Sequence, residues 1–286
     1  MMEVCHERAE FSAACERARG EGGRVGLVPT MGALHAGHLS LARAARRDGA
    51  DFVALTIFVN PLQFAPGEDL DRYPRTLEAD LDACRELGVD LVFAPARDAM
   101  YPAGFQTEVR VTGITRQLEG EHRPGHFDGV TTVVAKLFAN TGRCHAYFGR
   151  KDFQQWRIVE RMARDLDLPV DVVGMPIVRE ADGLALSSRN RYLSSDERER
   201  ALGIARGLRS AHDAWQAGTR HADALSKLVR QEVEPACDRI DYVALASPDT
   251  LERVDGEVNE GVLLIAAHVG KTRLIDNLWL GVDTRP

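Results

Sequence analysis

Residues 25–41 read VGLVPTMGALHAGHLSL, and the order of side chains along this stretch decides the fold. Val25 to Val28 is a short apolar run rich in β-branched residues, the pattern of a buried strand. From Leu39 to Arg46 the apolar residues return at helical spacing, which predicts a helix beginning after His38. The turn between them carries Gly32 and Gly37, two positions where bare backbone can approach a ligand closely. Strand, glycine-containing turn and helix in that order form the unit of a parallel α/β sheet, whose ligands gather at the carboxyl ends of the strands.

The alternation continues outward. Further strands are expected at Phe52 to Val59, Leu91 to Ala94, His145 to Phe148 and Val170 to Met175, with helices at Leu77 to Leu87, Val130 to Ala139 and Phe153 to Leu166. Beyond Pro176 the character changes. A polar loop, READGLALSSRNRYLS, leads to a helix expected to start at Ser195, where Asp196 and Glu197 suit the positive end of the helix dipole. A second helix is expected over Ala222 to Val233, and strands at Tyr242 to Ala246, Val262 to His268 and Leu274 to Leu280. The predicted architecture is a Rossmann-like parallel-sheet domain over residues 1–176 followed by a smaller α+β domain over residues 177–286.

Composition narrows the function. The 286 residues suffice for a large apolar core without metals or disulfides. Five cysteines are scattered and show no C-x-x-C spacing, which points to reduced thiols in a cytoplasmic protein. No signal-peptide pattern and no apolar run of about 18 residues is present, so no membrane insertion is expected. A formal net charge of −7 with interspersed signs argues against a nucleic-acid partner.

Three clusters fall at strand ends. His35 and His38 stand three residues apart, so both imidazoles can point the same way from a first helical turn and donate to phosphate oxygens. The turn matches neither the Walker pattern nor G-x-G-x-x-G. A pair of histidines that merely cap an ordinary helix, or half of a metal site, would look the same in isolation. The second cluster, Asn60 to Phe64, places Gln63 where its amide can bond a hydroxyl and a carboxylate. The third, Gly149 to Asp152, offers Arg150 and Lys151 to a polyphosphate, while Asp152 suits a helix N-cap equally well. Leu186 to Asn190 form a polar loop carrying Arg189 that could close over ATP.

In this order, from about Val25 to Leu193, the segments resemble the pantothenate synthetase (pantoate–β-alanine ligase) family, a branch of the nucleotidylyltransferases whose H-x-G-H signature is His35-Ala36-Gly37-His38 here. The resemblance implies ATP-dependent condensation of pantoate with β-alanine through a pantoyl-adenylate, releasing AMP and pyrophosphate. It implies ATP contacts at Met31, Gly32, Ala33, Leu34, His35, Ala36, Gly37 and His38, at Gly149, Arg150, Lys151 and Asp152, at Val178, and at Leu186, Ser187, Ser188 and Arg189. Gln63 and Gln155 would hold pantoate. His38 falls at the proton-donor position, His35, Lys151 and Arg189 would share in catalysis, and Asp80 matches a contact to the Mg2+ of Mg-ATP. Thr30, Asn60, Tyr73, Arg123, His126 and Lys136 fall near the site, and a homodimer is implied. The chain departs from the family pattern at Arg150, where Glu is common, and at Leu186, where Met is common.

Two other readings fit parts of the sequence. A nucleotidylyltransferase that leaves AMP or CMP on a phosphate ester uses the same turn, and a noncatalytic nucleotide sensor would keep the turn without a second substrate pocket. The Gln63 and Gln155 pair favours a hydroxylated carboxylate, and three polar clusters at separate strand ends disfavour a sensor.

Overall fold

The computed structural model describes residues 2–286. In chain order its elements are β1 (Glu3–Cys5), α1 (Arg8–Gly20), β2 (Val25–Thr30), α2 (Ala36–Arg47), β3 (Phe52–Ile57), α3 (Leu77–Leu87), β4 (Leu91–Phe93), α4 (Arg97–Met100), α5 (Glu119–His122), α6 (His126–Thr141), β5 (Cys144–Gly149), α7 (Phe153–Asp165), β6 (Val170–Met175), α8 (Ser195–Gln216), α9 (Ala222–Val233), β7 (Arg239–Ala246), β8 (Gly261–Val269) and β9 (Thr272–Leu280). They group into two compact units. The first comprises Met1–Thr115, Arg123–Arg150 and Gln155–Met175, and the second Arg116–His122, Lys151–Gln154 and Pro176–Pro286.

The first unit holds a six-stranded sheet in the order β1-β4-β3-β2-β5-β6, parallel throughout. Helices cover both faces of such a sheet, so its central strands are apolar almost without interruption. Val25, Gly26, Leu27 and Val28 are accordingly all buried. Helix α2 packs on the sheet through buried Leu41, Ala42, Ala44 and Ala45, and a Cβ on Gly26 of β2 would stand 2.9 Å from that of Ala45. From β2 the chain moves through β3 to β4 on one side, whereas β5 and β6 lie on the other, so the topology reverses between β2 and β5. Their ladder contains only Gly26↔His145 and Leu27↔Ala146. No further β2–β5 pairs follow toward the carboxyl ends, and this switch point is where such folds take ligands.

The second unit packs α8 and α9 against the antiparallel sheet β7-β8-β9. Leu208, Leu225, Val229, Leu263 and Ile265 sit at or near zero exposure in its core. The segment 116–122 joins this unit through a buried ionic cluster. Glu119 accepts a hydrogen bond from the Tyr242 hydroxyl at 2.7 Å and two from the Arg273 guanidinium at 2.6 and 2.7 Å. Arg273 also donates to Asp241 at 2.7 Å.

The α/β class and the mixed second module agree with the sequence reading, and α3, β6 and α9 keep their expected bounds. Several details differ. Helix α2 starts at Ala36 rather than after His38, because His35 takes the N-cap, its Nδ1 accepting from the Gly37 N–H at 3.2 Å. Helix α6 starts at His126, four residues before the expected Val130, whereas α8 starts at Ser195 as expected, capped by Ser194, with Glu197 bonding back to the Ser194 N–H at 2.8 Å to complete a capping box. The edge strand β1 and helix α1 were not expected.

Candidate active site

The turn after β2 is built on bonds to its neighbours. The Thr30 hydroxyl donates to the Thr56 carbonyl at 2.6 Å and accepts from the Gly32 N–H at 3.1 Å, tying the end of β2 to β3. Gly32 and Ala33 then adopt left-handed backbone, with φ of +82° and +51°. Glycine tolerates that conformation readily; alanine does so only when its surroundings enforce it. The enforcing group is Asp80, in the first turn of α3 and 3% exposed. Its oxygens accept the Ala33 N–H at 2.9 Å and the Leu34 N–H at 2.8 Å, and the Thr76 hydroxyl lies 3.2 Å from both.

The next residues form the first turn of α2. Because His35 Nδ1 accepts from Gly37, a neutral His35 carries its proton on Nε2, where it can serve as a donor. The His35 and His38 rings lie 4.0 Å apart, tilted by 30°, so the expected histidine pair does converge.

Beside this turn, the carboxyl end of β3 carries a second network. Asn60 is buried to 1% exposure. Its Nδ2 donates to Gln63 Oε1 and to the Gly129 carbonyl, both at 3.0 Å, while its Oδ1 accepts from the Tyr101 hydroxyl at 2.7 Å. With Oε1 occupied, Gln63 turns its Nε2 donors toward Met31, whose sulfur lies at 3.2 Å. The Gln63 carbonyl accepts from His126 Nδ1 at 2.8 Å. Arg123 donates to His126 Nε2 at 3.1 Å, which fixes the proton of a neutral His126 on Nδ1. Arg123 also holds Glu68 with two bonds of 2.7 and 2.8 Å. Burial pushes the Glu68 carboxyl up, but this guanidinium outweighs it and leaves the group below the usual carboxylate range. Gly129 of α6 permits the closest approach in this network: a Cβ there would stand 2.2 Å from the Leu62 carbonyl oxygen.

Lys136 lies with its ammonium 4.8 Å from the Phe105 ring centre and 5.8 Å from that of Tyr101. Partial burial, then the charge of Arg8, hold its pKa below the ordinary value. Tyr73 is buried edge-on to Phe64. Gly149 and Arg150 lie at the end of β5, and Gln155 is half-buried on the first turn of α7.

The remaining predicted residues belong to the second unit. Lys151 presents its ammonium 3.9 Å from Asp152, and its carbonyl accepts from Asn277 Nδ2 at 2.9 Å. Asp152 directly precedes α7, the position expected of a cap. Val178 and Leu186 meet through a backbone bond, Leu186 N–H to Val178 O, at 3.0 Å. Ser187 caps a short 3-10 turn, its hydroxyl accepting from the Arg189 N–H at 3.3 Å, and Ser188 is buried within that turn. Asn190 anchors the loop by donating to Glu180 at 2.8 Å and to the Ala185 carbonyl at 3.0 Å. Sequence reasoning overlooked Thr56, Thr76, Glu68, Tyr101 and Glu180, which position the named residues.

The profile of the pantoate-β-alanine ligase family matches residues 3–279. The chain belongs to the pantoate–β-alanine ligase family. Like other members it is an enzyme, a ligase that forms pantothenate from pantoate and β-alanine at the expense of ATP. Among the ligase relatives, the pantothenate synthetase of Syntrophotalea carbinolica is 51% identical over 280 residues, covering 98% of this chain and 99% of its own. That of Moorella thermoacetica is 51% identical over 283 residues, covering 99% and 100%. The crystal structure of the Thermus thermophilus enzyme superposes with a TM-score of 0.92 at 46% identity, over 97% of this chain and 99% of that one. The Francisella tularensis ligase, solved in complex with β-γ ATP and β-alanine, superposes with a TM-score of 0.80 at 30% identity, over 98% of each chain.

Proposed function

We propose that the ligase reaction is carried by the strand-end residues in the following roles. ATP is held along Met31 to His38, with Gly149 to Asp152, Val178 and Leu186 to Arg189 completing its contacts. Pantoate is held by Gln63 and Gln155. Its carboxylate attacks the α-phosphorus, pyrophosphate departs, and the acyl-adenylate is then attacked by the neutral amine of β-alanine, releasing AMP. Positioning and charge stabilisation are the protein's main contributions to such a step. His35 and His38 donate to oxygens as they gain charge, with His38 as the proton donor. Lys151 and Arg189 supply positive charge to the phosphates. In this reading the unit holding residues 177–286 acts as a lid that excludes water from the mixed anhydride.

The single observation that carries the assignment is the convergence of His35 and His38, 4.0 Å apart, at the start of α2, which follows β2 at the switch point between β2 and β5. The inward-facing carbonyl of the Gln63 amide supports the substrate role, since it directs the amide N–H end, one bond of which meets the Met31 sulfur, toward where a carboxylate or hydroxyl would sit. Magnesium enters as part of the Mg-ATP substrate. Among the described residues no group of three or more His, Cys, Asp or Glu is placed to hold a metal ion. No helix of the described chain is long and apolar enough to cross a membrane, and the five free thiols suit the reducing, cytoplasmic setting of this reading. A homodimer completes the reading.

Incubation with ATP, pantoate and β-alanine tests it. AMP together with pantothenate is expected. A nucleotide-capped ester would move the chain to another nucleotidyl-transfer chemistry, and unchanged ATP would sink the assignment.

A further inference from the structure

Asp80 does not have the surroundings of a metal ligand. A cation-binding carboxylate keeps lone pairs open to the ion or its waters, yet Asp80 is 3% exposed and three protein donors already converge on it. Two are consecutive backbone N–H groups, those of Ala33 and Leu34, in a stretch where Gly32 and Ala33 are both left-handed. Successive N–H groups in turn conformations of this kind form an anion-binding nest. In this chain the nest is filled by a carboxylate of the protein itself.

We propose that Asp80 is a positioning residue: a resident anion that occupies the nest at Gly32 to Leu34, locks the left-handed turn, and leaves the nucleotide phosphates to the next turn, where His35, His38 and the amino end of α2 stand. The inference rests on the ATP assignment made above and refines it, because the N–H groups of Ala33 and Leu34 face Asp80 and are not phosphate donors. Thr76 holds the carboxylate in turn, since its hydroxyl lies 3.2 Å from both oxygens. The geometry also accounts for Gly32, at which a Cβ would stand 3.0 Å from Ile57 Cγ2 and 3.1 Å from Asp80 Oδ2.

The test is Asp80→Asn, which keeps the shape but offers one acceptor where two are needed. Exchange of the Ala33 and Leu34 amides with deuterium is measured in the nucleotide-free protein. ATP affinity is measured both in excess EDTA and in saturating Mg2+. Faster exchange at both amides and an ATP affinity lowered by about tenfold are expected, the scale of one lost charge-assisted bond, and by the same factor in the two conditions. The KM for pantoate should change less than about twofold, a split that general unfolding would not produce. An affinity loss seen only with Mg2+, or amide exchange equal to that of the wild type, would overturn the proposal. Should Asp80→Asn fail to fold, Thr76→Val removes one donor alone, and a small increase in exchange at Ala33 and Leu34 is required of it. The exchange measurement involves no nucleotide, so it stands apart from the ATP assignment, whose own failure would appear in the wild type as no protection of residues 35–38 by ATP.

Discussion

Tyr101 donates its hydroxyl to Asn60 Oδ1 at 2.7 Å, and together with the Leu62 N–H on the same oxygen and the Gly129 carbonyl against Nδ2 this bond fixes which way the Asn60 amide faces and therefore which end of Gln63 is presented to a substrate. Were Asn60 to flip, its carbonyl would oppose Gln63 Oε1, and Gln63 would have to turn its own carbonyl outward.

Tyr101→Phe keeps the ring and removes only the hydroxyl. The KM for pantoate should rise by up to about tenfold, because the buried Asn60 Oδ1 loses its shorter donor and keeps only the Leu62 N–H at 3.3 Å, while the KM for ATP stays near that of the wild type. Steady-state kinetics with each substrate varied in turn decides it, and equal effects on both would show that Tyr101 acts through folding instead.

His38→Ala and Lys151→Ala should each reduce turnover by roughly 10²- to 10³-fold, the usual scale for one preorganised donor. Thermal midpoints should stay close to the wild-type value. Turnover near the wild-type rate in both would remove their assigned roles.

Glu119→Ala should destabilise the second unit by roughly 2–3 kcal/mol, because it leaves the Tyr242 hydroxyl without this acceptor and the Arg273 guanidinium with Asp241 alone. Urea unfolding curves measure the shift. A change below about 1 kcal/mol, the value of an exposed pair, would mean that the cluster contributes no more than a surface contact.

The loop Leu186 to Arg189 should loosen in acid. The Arg198 guanidinium beside Glu180 holds that carboxyl below its ordinary value of 4.5, and Glu180 in turn holds Asn190. A carboxyl lowered on folding stabilises the native state above its unfolded pKa and loses that contribution as pH falls through the folded one. Thermal stability should therefore drop below about pH 4.5 in the wild type and fall less steeply in Glu180→Gln. Identical acid limbs would contradict the anchoring role.

The buried thiols should be inert in the native protein. Burial pushes Cys15 and Cys144 up to about 12 and Cys84 up to about 11, so little thiolate forms at pH 8. Iodoacetamide should label these three only after denaturation, and mass spectrometry of the native protein at pH 8 will show it.

Much of this architecture can be read along the chain. The central strands and the helices between them announce themselves by local pattern, because burial on both faces leaves an uninterrupted apolar run and burial on one leaves a period near four. The elements that escaped reading are those with weak local signals. Strand β1 has three residues, two of them exposed at the sheet edge, and the buried stripe of α1 is only Phe11, Ala14 and Cys15. In the site, the motif residues were legible because they cluster within a few positions. Their supports were not: Asp80 is 47 residues from Ala33 and Tyr101 is 41 from Asn60, and spacing of that kind carries no periodic trace.

The peptide joining Leu62 to Gln63 rests against α6 at a residue that has no side chain to trim. The reach of Gln63 is thus gauged by two main chains in contact. Point substitution at residue 129 can only crowd that seat and never widen it, so a roomier acid-binding cavity would have to be carved from other walls or by shifting the whole helix. Tolerance for bulkier acids is in this way limited by architecture ahead of composition.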